Sequence, residues 1–138
     1  MKSRLIDTNV IVRFFVEDPG KAPEKFKGAF SFFKKLEMGE IQVELPDLVL
    51  FEAFYVLTKT YKGSREEVSE KLHDLVSFKG IVMRDKSFVT LCLKMLQSKN
   101  IGLVDAYLLA TSEKKGVHEI YSYDTDLSKH GLKLIKIE

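Results

Sequence analysis

The sequence predicts an α/β fold, a three-layer sandwich in which helices cover both faces of a mainly parallel sheet of about five strands. Short apolar segments alternate with helical patterns from end to end, and this alternation is typical of parallel sheets. No repeat, low-complexity segment or linker interrupts the 138 residues, of which 45% are hydrophobic. We therefore expect a single domain over residues 1–138, because two cores of half this size would be hard to stabilise.

Five short apolar segments are predicted as strands. They cover residues 4–6, 41–45, 80–84, 119–123 and 132–137. A turn or short helix over residues 125–130 separates the last two. In parallel sheets the ligand crevice lies beyond the carboxyl ends of the strands. Residues that follow the strands are therefore the first candidates for a functional site.

Six helices are predicted between the strands. The first follows Asp7, where apolar residues recur with helical spacing. The second is opened by Pro23 and ends at Gly39. The third has the sequence DLVLFEAFYVLTKTYK, begins after Pro46 and is expected to end where Gly63 supplies a left-handed residue.

The remaining helices also carry signals at their ends. Ser64 and Glu67 form a capping box for a fourth helix that runs to about Phe78. The fifth covers residues 88–98, and the sixth covers residues 104–115 before a glycine.

Cysteine usage and the N-terminal segment indicate the cellular setting. The chain has one cysteine, Cys92, in an apolar helical pattern, which excludes a disulfide scaffold and favours a reducing compartment. Asp7, Asn9 and Arg13 interrupt the apolar N-terminus, so it resembles neither a signal peptide nor a membrane span. We expect a cytoplasmic protein without membrane contact.

Four carboxylates from distant parts of the chain are predicted to meet at one rim of the sheet. Asp7 and Asp124 follow strands, Glu52 lies in the third helix and Asp105 lies in the first turn of the sixth. Simpler roles are open to three of them. Asp7 can cap a helix, and Asp105 can be an N-cap or a first-turn acid that the helix dipole favours. Asp124, like Asp126, can form a turn.

Glu52 has the weakest alternative role, because the surrounding LVLFEAFYVL is apolar on nearly every helical face. We expect the carboxylate to be buried there, where it would need a cation or a proton. A set of carboxylates without histidine or cysteine favours Mg²⁺ or Mn²⁺. The three histidines, His73, His118 and His130, show no metal-ligand spacing.

Overall charge does not decide the function. The chain has 22 basic and 20 acidic residues, and setting the four candidate acids aside leaves 16 acidic residues. The resulting basic excess suits an anionic substrate, but a solvated lysine-rich surface explains it equally well.

Four motifs in order resemble those of the PIN-domain nuclease family, and especially the VapC-type toxins of prokaryotic toxin-antitoxin pairs. They are LIDTNVIV, the isolated Glu52 in LVLFEAFYVL, GLVDAYLLA and YSYDTDL. The resemblance covers essentially the whole chain. It implies a metal-dependent endoribonuclease that leaves a 5′-phosphate and a 3′-hydroxyl.

The resemblance also implies roles for individual residues. Asp7, Glu52, Asp105 and Asp124 would be the catalytic metal ligands. Thr8 and Asn9 match the small polar residue of the first motif, and Ser122 matches the hydroxyl beside the fourth acid. Leu127 stands where the family often has an aromatic residue, which leaves Asp126 open as the fourth acid, although Asp124 lies nearer the strand end.

Two other functions remain open at this point. A haloacid dehalogenase-type phosphatase also begins with an aspartate after the first strand, but its general acid is normally an aspartate two residues later, where this chain has Asn9. A non-catalytic RNA-binding or scaffold module with a vestigial metal site is the second alternative.

The expected partners are RNA, an antitoxin protein and a second copy of the chain. Phe26, Phe30 and Phe33 follow one side of the second helix, with Phe32 beside that stripe. The third helix is apolar almost all round, which is more than one core face requires. We therefore expect a homodimer whose remaining apolar surface accepts a partner peptide; the alternative is that both helices are buried in the monomer. The resemblance implies that an antitoxin segment lies in such a groove and blocks the acidic site.

Overall fold

A computed structural model of the chain describes residues 4–138. The chain forms two compact units, the first ending at Lys86 and the second covering Ser87–Glu138. Each unit combines helices with short parallel strands. In the described part of the chain, no helix has both the length and the apolar character that a membrane crossing requires.

The first unit contains four helices and two strands. In chain order these are α1 Thr8–Val16, α2 Glu24–Met38, β1 Val43–Glu44, α3 Asp47–Lys59, α4 Arg65–Val76 and β2 Ile81–Val82. The second unit contains two helices, two strands and one 3₁₀ helix. These are α5 Lys86–Ser98, which begins at the last residue of the first unit, α6 Leu103–Lys115, β3 Glu119–Tyr121, the 3₁₀ helix Thr125–His130 and β4 Lys133–Ile135.

Strands of the first unit run parallel. Val43 of β1 pairs with Ile81 of β2, and Leu5 forms an isolated parallel bridge to Glu44 on the other side of β1. The backbone N–H of Ile6 extends this pairing by donating to the carbonyl of Glu44. Asp7 therefore follows a strand-like segment at its carboxyl end, as predicted.

Strands of the second unit are also parallel, with Glu119 of β3 opposite Lys133 of β4. The parallel sense is confirmed in both units, but all the strands are shorter than predicted. Within residues 4–138 they form two separate two-stranded sheets and one bridge instead of a clear five-stranded sheet. Backbone groups that would lengthen the strands bond elsewhere: the N–H of Gly80 donates to Leu36 of α2 at 2.7 Å.

Aromatic rings lie between α1 and α2. Phe14 of α1 stacks on Phe33 of α2 with ring centroids 4.2 Å apart. The ring centroid of Phe30 lies 6.3 Å from that of Phe14. Phe33 is only 1% exposed. The predicted partner surface is therefore wrong at Phe33, because helical spacing alone does not distinguish a core stripe from a docking stripe.

Local capping signals locate most helix ends correctly. The hydroxyl of Ser64 accepts from the N–H of Glu67 at 3.1 Å, and α2 ends at Gly39 with φ of 78°. The expectation for Gly63 is wrong, since the left-handed residue after α3 is Lys62, with φ of 59°. Gly63 is instead required for a close approach, because a Cβ there would lie 2.8 Å from a methyl carbon of Val68.

Candidate active site

Asp7 lies immediately before α1 and caps it. Its carboxylate oxygen Oδ1 accepts a hydrogen bond from the backbone N–H of Thr8 at 2.7 Å. The side chain is exposed to solvent, as is the side chain of Asn9 in the first turn of the helix. The capping role is therefore real, and it also holds the Asp7 carboxylate in a defined position at the carboxyl end of its strand-like segment.

Thr8 connects this position to α3. It is buried, and its hydroxyl donates a long hydrogen bond of 3.5 Å to the carbonyl oxygen of Val49. Glu52 follows Val49 by three residues, so the two lie on the same side of α3, one turn apart. The first unit thus links the helix that Asp7 caps to the helix that carries Glu52.

The expected burial of Glu52 is wrong. Its side chain is exposed, and so are its neighbours on the same face of α3, Leu48 at 75% and Tyr55 at 55%. The apolar sequence around Glu52 therefore does not enclose it, because α3 buries only one side, with Leu50 and Phe54 among the buried residues. Water hydrates this carboxylate, so burial gives no argument for a compensating cation.

Asp105 lies in the first turn of α6, in the second unit. Gly102 occupies the N-cap position and has no side chain to satisfy the free N–H groups of the helix. Asp105 is half-buried, and a negative charge in a first turn interacts favourably with the helix dipole. This placement suits a helix-stabilising acid and a metal ligand equally.

A chain of short hydrogen bonds fixes the fourth acidic motif, also in the second unit. The hydroxyl of Ser122 accepts from the N–H of Asp124 at 2.9 Å, and Oδ1 of Asp124 accepts from the N–H of Asp126 at 2.9 Å. Asp126 also forms an ion pair with Lys129 at 3.2 Å. Buried Leu127 anchors the 3₁₀ helix that follows. Asp124 is thus the less neutralised of the two acids.

The donor chemistry of these residues suits a divalent ion. All four candidate ligands are carboxylates, which Mg²⁺ and Mn²⁺ prefer over nitrogen or sulfur ligands. Asp7 and Glu52 belong to the first unit, whereas Asp105 and Asp124 belong to the second. Among residues 4–138, no three His, Cys, Asp or Glu side chains form a group that could hold a metal ion. A common site for the four acids therefore stays a prediction.

Two basic residues near the first motif were not singled out from the sequence as functional. Arg13 of α1 and Lys25 of α2 line an open cleft together with Asn9. The spacing of Asn9 and Arg13, four residues apart on one helix, is the signal that could have indicated them. Spacing along one helix could not indicate that Lys25 of α2 lines the same cleft as Asn9 and Arg13 of α1, because this depends on how the two helices pack.

Comparison with known proteins defines the class. Residues 4–133 match the PIN domain family, and the chain belongs to that family. It is similar to the VapC ribonuclease of Aquifex aeolicus (strain VF5), with 24% identity over 132 residues that cover 96% of this chain and 95% of that protein. The resemblance inferred from the four motifs is confirmed.

Proposed function

We propose that this protein is a metal-dependent endoribonuclease that hydrolyses phosphodiester bonds in RNA and acts as the toxin of a toxin-antitoxin pair. The observation that carries the proposal is the similarity to a VapC ribonuclease over 96% of the chain, within a PIN domain match over residues 4–133. The four acids in the motifs that resemble those of the family are the residues proposed to carry out the chemistry.

The proposed catalytic metal ligands are Asp7, Glu52, Asp105 and Asp124, and the proposed ion is Mg²⁺ or Mn²⁺. A single PIN-like domain with a parallel sheet of about five strands would bring them to one rim. Within its own unit, each of the acids of the first and fourth motifs follows a parallel segment, and ligands bind at that end of parallel strands.

A divalent ion bound there would activate water and neutralise charge on the reacting phosphate. The contribution of the protein is to hold the carboxylates in position before the substrate arrives. The hydrogen bond from Thr8 to Asp7 and those that connect Ser122, Asp124 and Asp126 serve this purpose. Asn9, exposed in the first turn of α1, is available to contact substrate.

The proposed partners follow from the same relationship. They are a cognate antitoxin protein that blocks the acidic site and a second copy of the chain, and the proposed location is the cytoplasm. Exposed apolar residues on α3, such as Leu48 and Tyr55, are consistent with additional protein contacts.

Cleavage of structured RNA by the purified chain in the presence and absence of Mn²⁺ tests the proposal. Ion-dependent cleavage that EDTA stops is the expected result. RNA binding without cleavage would instead identify a non-catalytic PIN-like module. Hydrolysis of a small phosphate monoester without RNA cleavage would favour the phosphatase alternative, which Asn9 already disfavours because the general acid is missing.

A further inference from the structure

An open cleft lies between α1 and α2 in the first unit. Its volume is about 620 Å³, within the range of sites that bind small molecules. Asn9 and Arg13 contribute from α1, and Lys25, Phe26 and Phe32 contribute from α2. Both rings are half-buried, so each keeps part of its surface accessible.

The cleft is basic. The guanidinium carbon of Arg13 lies 4.5 Å from the centroid of the Phe26 ring, and the ammonium nitrogen of Lys25 lies 4.9 Å from the same centroid. Arg13 also pairs with Glu17 at 3.1 Å, whereas Lys25 forms no ion pair within residues 4–138. None of the described residues that line the cleft is acidic. Its charge is therefore complementary to an anion.

One wall of the cleft is the helix that the proposed catalytic acid of the first motif caps. Asp7 caps α1, Asn9 lies in the first turn and Arg13 lies one turn further along. A rise of about 1.5 Å per residue places Asn9 and Arg13 about 3 Å and 9 Å along the helix axis from Asp7. The cleft thus includes a residue of the first motif, Asn9, within one turn of Asp7 along the chain.

We propose that this cleft binds one nucleotide of a single-stranded RNA segment. Lys25 and Arg13 contact its phosphate, and Phe26 and Phe32 provide the aromatic wall against which its base packs. The inference rests on the proposed ribonuclease function and adds a substrate-binding site to it. Together, cations and accessible rings are typical of single-strand recognition, because every base offers a flat face for stacking.

An acidic protein segment is the rival occupant. Its carboxylates would satisfy Lys25 and Arg13 equally well, but they would make no use of the accessible part of the Phe32 ring. The combination of charge and aromatic surface therefore favours a nucleotide.

The test measures binding separately from cleavage. A short fluorescein-labelled oligouridylate is titrated with the full chain in EDTA, and fluorescence anisotropy reports the affinity at several salt concentrations. Lys25→Gln is compared with Lys27→Gln, which changes an exposed lysine of the same helix that lies outside the cleft lining. Phe26→Leu is compared with Phe30→Leu, a half-buried ring of the same helix that is also outside the lining.

Lys25→Gln should lower the slope of log affinity against log salt by about 0.7, the value for one phosphate contact on a single strand. Phe26→Leu should weaken binding about fivefold or more, because one stacked base is lost. Both controls should bind like the parent. An iodouridine probe should crosslink within α2.

Equal binding by parent, Lys25→Gln and Phe26→Leu would overturn the inference, as would a crosslink confined to helices other than α1 and α2, which form the cleft. Displacement of the RNA by oligoglutamate with retention of binding in Phe26→Leu would also overturn it and favour an acidic peptide. Binding is measured in EDTA, which prevents metal-dependent cleavage. The binding results therefore test the cleft as an RNA-binding site even if the protein proves not to be a nuclease.

Discussion

The hydroxyl of Thr8 donates a hydrogen bond of 3.5 Å to the carbonyl oxygen of Val49, and this contact joins the helix that Asp7 caps to the helix that carries Glu52. Thr8 is buried, so its hydroxyl is shielded from water and depends on this partner. The contact gives Thr8 a positioning role between two proposed metal ligands.

Thr8→Val should therefore lower the free energy of unfolding by about 0.5 kcal/mol, the low end for one hydrogen bond, because this bond is long and valine keeps the shape of threonine. RNA cleavage should fall less than in a variant that lacks a metal ligand. Thr8→Ser, which retains the hydroxyl, is the control. Chemical denaturation of the three proteins measures the difference, and equal stability of Thr8→Val and the parent would show that the contact contributes nothing.

The acids of the fourth motif should differ in importance. Asp124→Asn should abolish cleavage, because it removes the proposed ligand charge while an amide oxygen can still accept from the N–H of Asp126. Asp126→Asn should retain activity near that of the parent, because Asp126 already pairs with Lys129. Cleavage rates on one RNA measure both variants. The reverse order would assign the ligand to Asp126.

Glu52→Gln should remove most of the stabilisation that divalent ions give. An ion that binds only the folded state at about 100 times its Kd stabilises that state by about 2.7 kcal/mol, so the parent should melt higher as Mn²⁺ is added. Thermal unfolding across a Mn²⁺ titration measures the effect, with Glu66→Gln, an exposed acid of α4, as the control. An equal response of the parent and Glu52→Gln would exclude Glu52 from the site.

The purified chain should form a homodimer. Light scattering at micromolar concentration should then give about twice the 15.8 kDa mass of one chain. A monomer across that concentration range would refute this part of the proposal. It would leave the nuclease proposal to be judged on cleavage alone.

Features set by local chemistry were predictable from the sequence. The capping serine at position 64 and the glycine that ends α2 act within one or two helical turns, so their residue types identify them. The order of the four motifs was equally visible, and the match over residues 4–133 confirms the family.

Features that depend on packing were not predictable. The apolar residues around Glu52 indicated burial, but α3 turns one side away from its neighbours and leaves Leu48 and Glu52 exposed. The strands are shorter than predicted also because of packing, since the N–H of Gly80 bonds to α2 instead of to another strand. Predicting the cleft that Asn9 lines would have required the relative position of two helices, which spacing along one helix does not provide.

Cleavage of a structured RNA by the parent, Asp7→Asn and Asp105→Asn, with Mn²⁺ or with EDTA, tests the central proposal most directly. Asparagine retains the volume of aspartate and can still cap α1 at position 7, so both variants should stay folded and melt near the parent temperature without metal. The account predicts cleavage by the parent with Mn²⁺ and none by either variant or in EDTA. Parent-level cleavage by either folded variant would contradict the assignment of the site, and no cleavage by the parent with Mn²⁺ would contradict the proposed activity.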